Sequence, residues 1–133
     1  MSFKKVDVSP GYRCPFCPDH SDDTFFESKV FGRPICQGCD FEITAFLASE
    51  RPADPVVESV ERFTGRPWAE VRILLLQEEL DNWCQLDRER PTSYVESFAR
   101  FGWTAAQVWE RVRRNIDSTR ASLESTQTPG AKG

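Results

Sequence analysis

Two C-x-x-C pairs decide the fold of the N-terminal third: Cys14-Pro15-Phe16-Cys17 and Cys36-Gln37-Gly38-Cys39. A two-residue spacer lets both thiolates of a pair point inward from one tight turn. The eighteen residues between the pairs are long enough to run out and back as a hairpin, which brings the pairs together. Four thiolates then meet at the tetrahedral geometry that zinc prefers in structural sites. The spacing therefore predicts one structural Zn²⁺ bound by Cys14, Cys17, Cys36 and Cys39.

The segment between the pairs has the composition of a β-hairpin. Residues 24–30 are rich in aromatic and β-favouring residues, which predicts a strand. Residues 31–34, with a glycine and a proline, supply the turn that follows it. Apolar residues within positions 1–13 predict a further small strand, added at the edge of the hairpin.

These features together resemble a zinc ribbon of the rubredoxin-like kind, over about residues 10–45. The resemblance implies a metal-bound hairpin but no particular activity, because zinc ribbons serve many functions. Such families often carry glycine after the second cysteine of a pair, whereas Pro18 and Asp40 stand there in this chain. Pro18 has no backbone N–H to donate to sulfur, which disfavours an iron-bound, electron-carrying site more than it disfavours zinc.

Other uses of the cysteines are disfavoured but stay open. Five cysteines and no secretory segment before them argue against a disulfide framework. Iron shares the thiolate preference of zinc and is the alternative metal. A redox C-x-x-C is less favoured, because two pairs so close together would be redundant. His20, three residues after Cys17, either replaces one cysteine as a ligand or, as we favour, is an exposed loop residue.

Length and hydropathy indicate one ordinary domain or two small ones. The chain has 133 residues, of which 39% are hydrophobic, and no eighteen-residue apolar stretch, so no membrane span is expected. Reduced cysteines and the missing export signal predict a cytoplasmic protein. The formal charge is −4, with the acidic surplus concentrated in residues 54–92. An acidic chain is repelled by phosphate backbones, which makes nucleic acid the less favoured partner.

The apolar periodicity changes after the second cysteine pair. Asp40 is expected to cap a helix that continues to about Glu50, and residues 51–55 then break it. The predicted fold class is α+β: a small N-terminal zinc ribbon with a β-hairpin, followed by a C-terminal bundle of four or five helices. The predicted domains are residues 1–50 and 54–124, with a disordered tail at 125–133.

Four helices are predicted in the second part of the chain. Asp54-Pro55 is an N-cap and N1 pair, and the helix that it opens is expected to end at Gly65. A long helix is predicted from Pro67 to about Glu89. Two capping boxes, Ser93–Glu96 and Thr104–Gln107, predict the starts of the last two helices. The inner face of the last helix is expected to carry Ala105, Val108, Trp109, Val112, Ile116 and Leu123.

Little in the sequence indicates catalysis. His20 is the only histidine, and no phosphate-binding glycine loop or dinucleotide fingerprint is present. Glu78 and Glu79 are adjacent carboxylates, but neighbours on a helix point about 100° apart, so a solvated face is favoured. Cys84 is interpreted as a small buried hydrophobe rather than a nucleophile or redox sensor. We therefore expect a protein that is not an enzyme.

The last helix is predicted to carry a basic face, formed by Arg111, Arg113, Arg114 and Arg120. In a nucleic-acid binder such a face contacts phosphates, and Lys29 and Arg33 would add to it. We favour a solvated face whose arginines pair with acids of the middle segment, because that acidic surplus belongs to the same small molecule. A nucleic-acid-associated zinc ribbon in transcription or RNA metabolism stays as the alternative function.

Protein binding is the function that the sequence favours. Trp103 follows Gly102 in a loop between helices and is the predicted anchor for a partner, since Trp, Tyr and Arg dominate binding hot spots. Glu70, Glu78 and Asp81 are predicted to steer a basic partner electrostatically. In size and charge the chain resembles bacterial immunity or inhibitor proteins, which implies a stoichiometric inhibitor of a basic toxin or effector. No small-molecule substrate is indicated.

Overall fold

The computed structural model describes residues 5–16, 24–48 and 53–127. Within these residues there are three short strands and five α-helices. In chain order they are β1 (Lys5–Val6), β2 (Phe25–Phe26), β3 (Ile35–Cys36), α1 (Gln37–Ala45), α2 (Pro55–Thr64), α3 (Trp68–Glu89), α4 (Thr92–Ala99) and α5 (Ala105–Gln127), with a 3-10 turn at Phe46–Ala48 after α1. Because α5 continues to Gln127, it extends into the segment predicted as a disordered tail, and the rest of that segment lies outside the described residues.

The strands form one antiparallel sheet in the order β1-β2-β3. Val6 pairs with Phe25, and Phe25 pairs with Cys36, so the central strand holds both neighbours in register. The fold is thus mixed α and β, as predicted. β2 is shorter than the strand predicted over 24–30, because the backbone turns after it. Gly32 N donates to Ser28 O at 2.9 Å, and Gly32 has a φ of 69°, which glycine adopts without strain.

By compactness the chain divides into a first unit, Met1–Glu78, and a second unit, Glu79–Gly133. The division falls within α3, which runs from Trp68 to Glu89. The predicted domains 1–50 and 54–124 follow the change in composition instead, and as folding units they stay a prediction.

The core of the first unit comes from the sheet and the helices α1 to α3. Its least exposed side chains are Ile35, Cys36, Cys39, Val60 and Val71. Phe16, Phe31 and Phe63 form a cluster of rings packed edge to face, with centroids 4.9, 5.3 and 6.5 Å apart. This geometry adds to the stabilisation from burial, because the positive edge of one ring meets the negative face of another. The cluster joins α2 to the segment that carries the first cysteine pair.

The two ends of α2 confirm the prediction from sequence. Asp54 Oδ1 accepts a hydrogen bond from Val56 N at 2.9 Å, and Pro55 is the first helical residue. Gly65 ends the helix in the left-handed conformation, with a φ of 70°. A residue with a side chain would be strained there, which explains why the helix ends at this glycine.

The start of α1 differs from the prediction. Cys36 is the N-cap, and its sulfur accepts a hydrogen bond from Cys39 N. Asp40 therefore lies inside the first turn rather than capping the helix. The prediction was wrong because the sulfur of Cys36 takes the place that a Ser, Thr, Asp or Asn oxygen often takes at a helix N-terminus.

One of the two predicted capping boxes forms. Before α5, Thr104 N donates to Gln107 Oε1 at 2.9 Å, and Gln107 N donates to Thr104 Oγ1 at 3.2 Å. Before α4, the N-cap is Pro91, which makes no side-chain cap, and the helix already begins at Thr92. The Ser93–Glu96 box therefore does not start a helix. Because Pro91 fixes the backbone as the N-cap, the helix has already begun when the chain reaches Ser93.

The second unit comprises the end of α3 with α4 and α5. The buried side chains of α5 follow the spacing of an amphipathic helix, as predicted: Val108, Trp109, Val112, Ile116 and Leu123. Ala105, predicted on the same inner face, is exposed at the first turn. Trp83 on α3 is also buried.

The two longest helices, α3 and α5, both carry many charged residues. In the part of the chain that the structure describes, no helix has the length and apolar character needed to cross a membrane. The prediction of no membrane span agrees with this.

Candidate metal centre

Three cysteines of the first unit lie together. The Sγ atoms of Cys14, Cys36 and Cys39 are all within 4.8 Å of one another. The three side chains are buried, with exposed fractions of 7%, 1% and 1%. Sulfur atoms at this separation, shielded from water, fit a single thiophilic metal ion between them. The sequence prediction is confirmed to this extent.

Cys36 and Cys39 owe their positions to the start of α1. Cys36 ends β3 and caps the helix, and Cys39 lies in its first turn. Cys39 N donates to Cys36 Sγ at 3.4 Å, a normal length for a hydrogen bond to sulfur. The two-residue spacer places both sulfurs at the amino end of the helix. The N–H groups and the positive end of the helix dipole stabilise negative charge there, as a metal-bound thiolate requires.

Cys14 is brought to this pair by Tyr12. A turn with Tyr12 N donating to Ser9 O at 3.0 Å precedes the cysteine. The Tyr12 hydroxyl donates to Pro34 O at 2.7 Å, and its ring packs edge to face on Phe25 at 5.4 Å. These contacts fasten the first cysteine segment to β2 and to the residue before β3. Sequence reasoning missed Tyr12, although its place two residues before Cys14 was visible.

Two residues of the predicted centre lie outside the described residues. They are Cys17, the predicted fourth ligand, and His20, the alternative ligand. Both stay predictions. The described part of the site offers three sulfur atoms within reach of a single metal ion.

The acids predicted to face a partner have different surroundings from one another. Glu78 accepts hydrogen bonds from Ser28 Oγ at 2.8 Å and from Lys29 N, so its carboxylate is bound within the first unit. Glu70 forms an ion pair with Arg66, one turn earlier on the exposed surface. Asp81 is exposed. Steering by a continuous acidic face therefore has less support than the charge count alone suggested.

The interpretation of the adjacent carboxylates as a solvated face needs correction. Glu78 is bound as described, and Glu79 accepts from Trp83 Nε1 at 3.2 Å. Both side chains are half-buried. The sequence could not show this, because the partner of Glu78 is 50 residues away in the chain.

Cys84 is half-buried rather than fully buried. It lines a cavity of about 370 Å³ in the second unit, with Arg88, Arg113 and Arg120 among the lining residues. The interpretation as a core hydrophobe is therefore wrong in part. The α3 face that carries Cys84 also carries charged residues, and these keep the position open to water.

The predicted anchor, Trp103, is half-buried in the second unit. Its ring centroid lies 5.6 Å from that of Phe98 and 5.5 Å from the guanidinium carbon of Arg111. Phe101, two residues earlier, is 66% exposed. Sequence reasoning missed Phe101 and Arg100, although the run Arg-Phe-Gly-Trp at 100–103 marks a loop with unusual surface chemistry.

Comparison of the chain with protein-family models, with curated proteins and with solved structures found no match in any of the three.

Proposed function

We propose that this protein is a non-enzymatic protein-binding module whose first unit is held together by one structural Zn²⁺. The observation that carries the proposal is the cluster of three buried sulfurs, all within 4.8 Å of one another. Cys14, Cys36 and Cys39 would bind the ion, with Cys17 as the fourth ligand predicted by the spacing. Four sulfur ligands leave zinc no open position for water, so the metal's role is structural.

The part of the first unit that precedes α2 has a physical reason to bind such an ion. Its sheet consists of strands of only two residues each, and α1 has nine. Elements this short bury little apolar surface and rarely fold without a disulfide or a metal. An ion in the cluster would cross-link the lead-in segment to β3 and α1, which are distant from it in the chain.

Metal content tests this part of the proposal. Elemental analysis of the purified chain is expected to give one zinc per molecule, and Cys36→Ser is expected to lose it. Cys84→Ser is the matched control, because it removes a thiol outside the cluster and should keep the zinc. Replacement by Co²⁺ reports the ligands: the intensity of the thiolate-to-cobalt absorption should fall in Cys17→Ser if Cys17 is the fourth ligand. A wild-type chain without metal would overturn the proposal.

Protein binding is supported by exposed aromatic side chains outside the metal site. Phe41 is 68% exposed and Phe101 is 66% exposed, and Trp103 lies near Phe101 in the chain. Aromatic residues beside arginines are the usual centres of binding energy in protein interfaces. A basic partner has less support than the charge count suggested, because Glu70 and Glu78 are engaged within the chain. The role of an immunity protein or inhibitor in the cytoplasm stays a prediction.

Affinity capture tests protein binding directly. The zinc-loaded chain is expected to retain one protein in near-stoichiometric amount, and Trp103→Ala is expected to lose it. Gln77→Ala, a change at an exposed polar residue of the first unit, is the control. If no protein is retained while zinc is still bound, the binding role is rejected and the metal site is not.

Nucleic-acid binding is the second candidate, favoured by the exposure of all four arginines of the last helix. Fluorescence anisotropy with labelled single-stranded RNA and duplex DNA tests it at low and high salt. Binding that weakens steeply as salt rises would support this candidate, because each phosphate contact releases counterions. No binding at low salt would remove it.

A further inference from the structure

The second unit carries a surface formed by Arg100, Phe101, Trp103, Arg111 and Arg114, which we call the arginine–aromatic surface. All of these side chains except Arg100 line one open cavity of about 520 Å³ between the loop after α4 and the first turns of α5. Phe101 is 66% exposed, and Gly102 turns the loop with a φ of 84°. The three arginines are exposed. The surface thus combines positive charge with an uncovered apolar ring.

Two of these arginines are held in place by rings. The guanidinium carbon of Arg111 lies 5.5 Å from the Trp103 ring centroid, and that of Arg100 lies 5.2 Å from the Phe101 ring centroid. A guanidinium stacked on a ring keeps its N–H donors at its outer edge and has lost part of its rotamer freedom. Among the described residues, no carboxylate forms an ion pair with Arg100 or Arg111. Their donors are therefore available to a ligand.

The same surface already accepts one carboxylate from its own chain. Glu110 Oε1 lies 3.3 Å from Arg114 Nη2, one turn along α5. Guanidinium edges bind carboxylates, like phosphates, through paired N–H donors. Base stacking on Trp103 is less suited, because that ring is already packed by Arg111 and Phe98. RNA would have to displace these contacts to stack on the Trp103 ring.

We propose that the arginine–aromatic surface binds an acidic segment of the partner protein. Carboxylates of that segment pair with Arg100 and Arg111, and an apolar side chain covers Phe101. This inference rests on the proposed protein-binding function and reverses the charge predicted for the partner. The acidic overall charge of the molecule does not oppose it, because a local basic surface determines the potential at contact distance.

The test uses a short fluorescein-labelled peptide with glutamate at every second position and leucine between. Its control is the same peptide with glutamine in place of glutamate. The zinc-loaded full chain is expected to bind the glutamate peptide and not the glutamine peptide in fluorescence anisotropy. Binding should weaken as salt rises, because the contacts are exposed ion pairs.

Two variants separate this surface from general charge. Arg111→Gln is expected to weaken peptide binding about tenfold, since it removes a charge-assisted contact. Arg113→Gln is the matched control on the same helix: it loses the same charge but lines the Cys84 cavity instead. It should change the affinity by less than about twofold, as a distant exposed charge does.

The outcomes distinguish this inference from the proposed function. Equal weakening by Arg111→Gln and Arg113→Gln would overturn the inference, and so would tighter binding of an oligouridylate of similar length. Zinc is measured on every sample. A chain with one zinc that retains a native protein partner but ignores the glutamate peptide overturns the inference alone. A chain without zinc overturns the proposed function, whether or not the peptide binds.

Discussion

The two units of this protein use different means to hold their cores. In the first unit the strands are two residues long, and the least exposed side chains include Cys36 and Cys39. In the second unit, α5 has 23 residues, and the core comes from its buried apolar face. Where the strands are short, the chain places a cysteine cluster beside its aromatic packing; where the helices are long, it relies on apolar and aromatic packing alone. Dependence on metal should therefore differ between the units.

The rings of the second unit pack against one another and against an arginine. Tyr94 stacks on Trp109 at 5.8 Å and meets Phe98 edge to face at 5.2 Å. The guanidinium carbon of Arg90 lies 5.4 Å from the Trp109 ring centroid. Contacts of this kind bury large areas and need no ligand.

Metal removal should give the largest difference between the units. In Cys36→Ser, or after chelation of the wild type, the first unit is expected to lose its protected backbone amides, because structural zinc contributes about 10 kcal/mol in small domains. The amides of α5 should stay protected. Hydrogen exchange followed by mass spectrometry measures both in one experiment. Equal loss of protection in both units would break the comparison, and Cys84→Ser should behave as wild type.

Trp109→Ala should destabilise the second unit rather than the first. Removing a buried tryptophan costs about 3–5 kcal/mol, and its stacking on Tyr94 is lost as well. Urea unfolding, followed by helical circular dichroism, is expected to show this cost both with and without metal. Zinc content should be unchanged. A fall in zinc content would contradict the separation of the two cores.

Glu78→Gln tests a polar contact of the first unit. The carboxylate accepts from Ser28 Oγ and Lys29 N, and loss of its charge should cost about 1–2 kcal/mol. Glu70→Gln is the control, since its exposed ion pair with Arg66 is worth less than about 0.5 kcal/mol. Urea unfolding of both variants gives the difference. Equal effects would mean that the contacts of Glu78 contribute no more than an exposed ion pair.

Thr104→Ala tests the cap that the sequence predicted correctly. It removes the hydroxyl that accepts from Gln107 N, and an N-cap of this kind contributes about 1 kcal/mol. Ser93→Ala, at the box that does not form, should change stability by less than about 0.5 kcal/mol. Thermal unfolding of the two variants compares them. A larger effect at Ser93 would contradict the assigned start of α4.

The smallest effect is expected at high pH. Burial raises the pKa of Tyr94 above its ordinary value of 10.0, and the nearby charge of Arg111 offsets part of this. The folded protein therefore holds the phenol proton more tightly than the unfolded chain does. Stability from this group is complete below pH 10 and falls as the pH rises toward the folded pKa. Unfolding measured on both sides of pH 10 should show this slope, and Tyr94→Phe should reduce it.

Sequence reasoning succeeded where the determinant is local. The spacing of Cys36 and Cys39, the Asp54 cap, the Gly65 stop and the Thr104 box each depend on residues a few positions apart. The amphipathic spacing of α5 was also sufficient to predict its buried face.

Sequence reasoning failed where a contact joins residues that are distant in the chain, or where two neighbouring residues compete to start a helix. Glu78 is bound by residues about fifty positions earlier, and Tyr12 reaches Pro34 across 22. No local pattern encodes such contacts. Ser93 does not cap α4, because the fixed backbone of Pro91 makes that proline the N-cap and starts the helix earlier. The fourth cysteine of the candidate site, Cys17, stays a prediction.

The sulfur of Cys36 caps α1 and belongs to the candidate metal centre. An alkylating reagent at this atom would change a candidate ligand and, in the same event, turn the acceptor that opens α1 into a weaker thioether. Metal binding by the cluster and formation of the first turn of this short helix would thereby depend on the same atom. After partial reaction, the alkylated molecules should be altered at both the sulfur cluster and the helix start, and the unreacted molecules at neither.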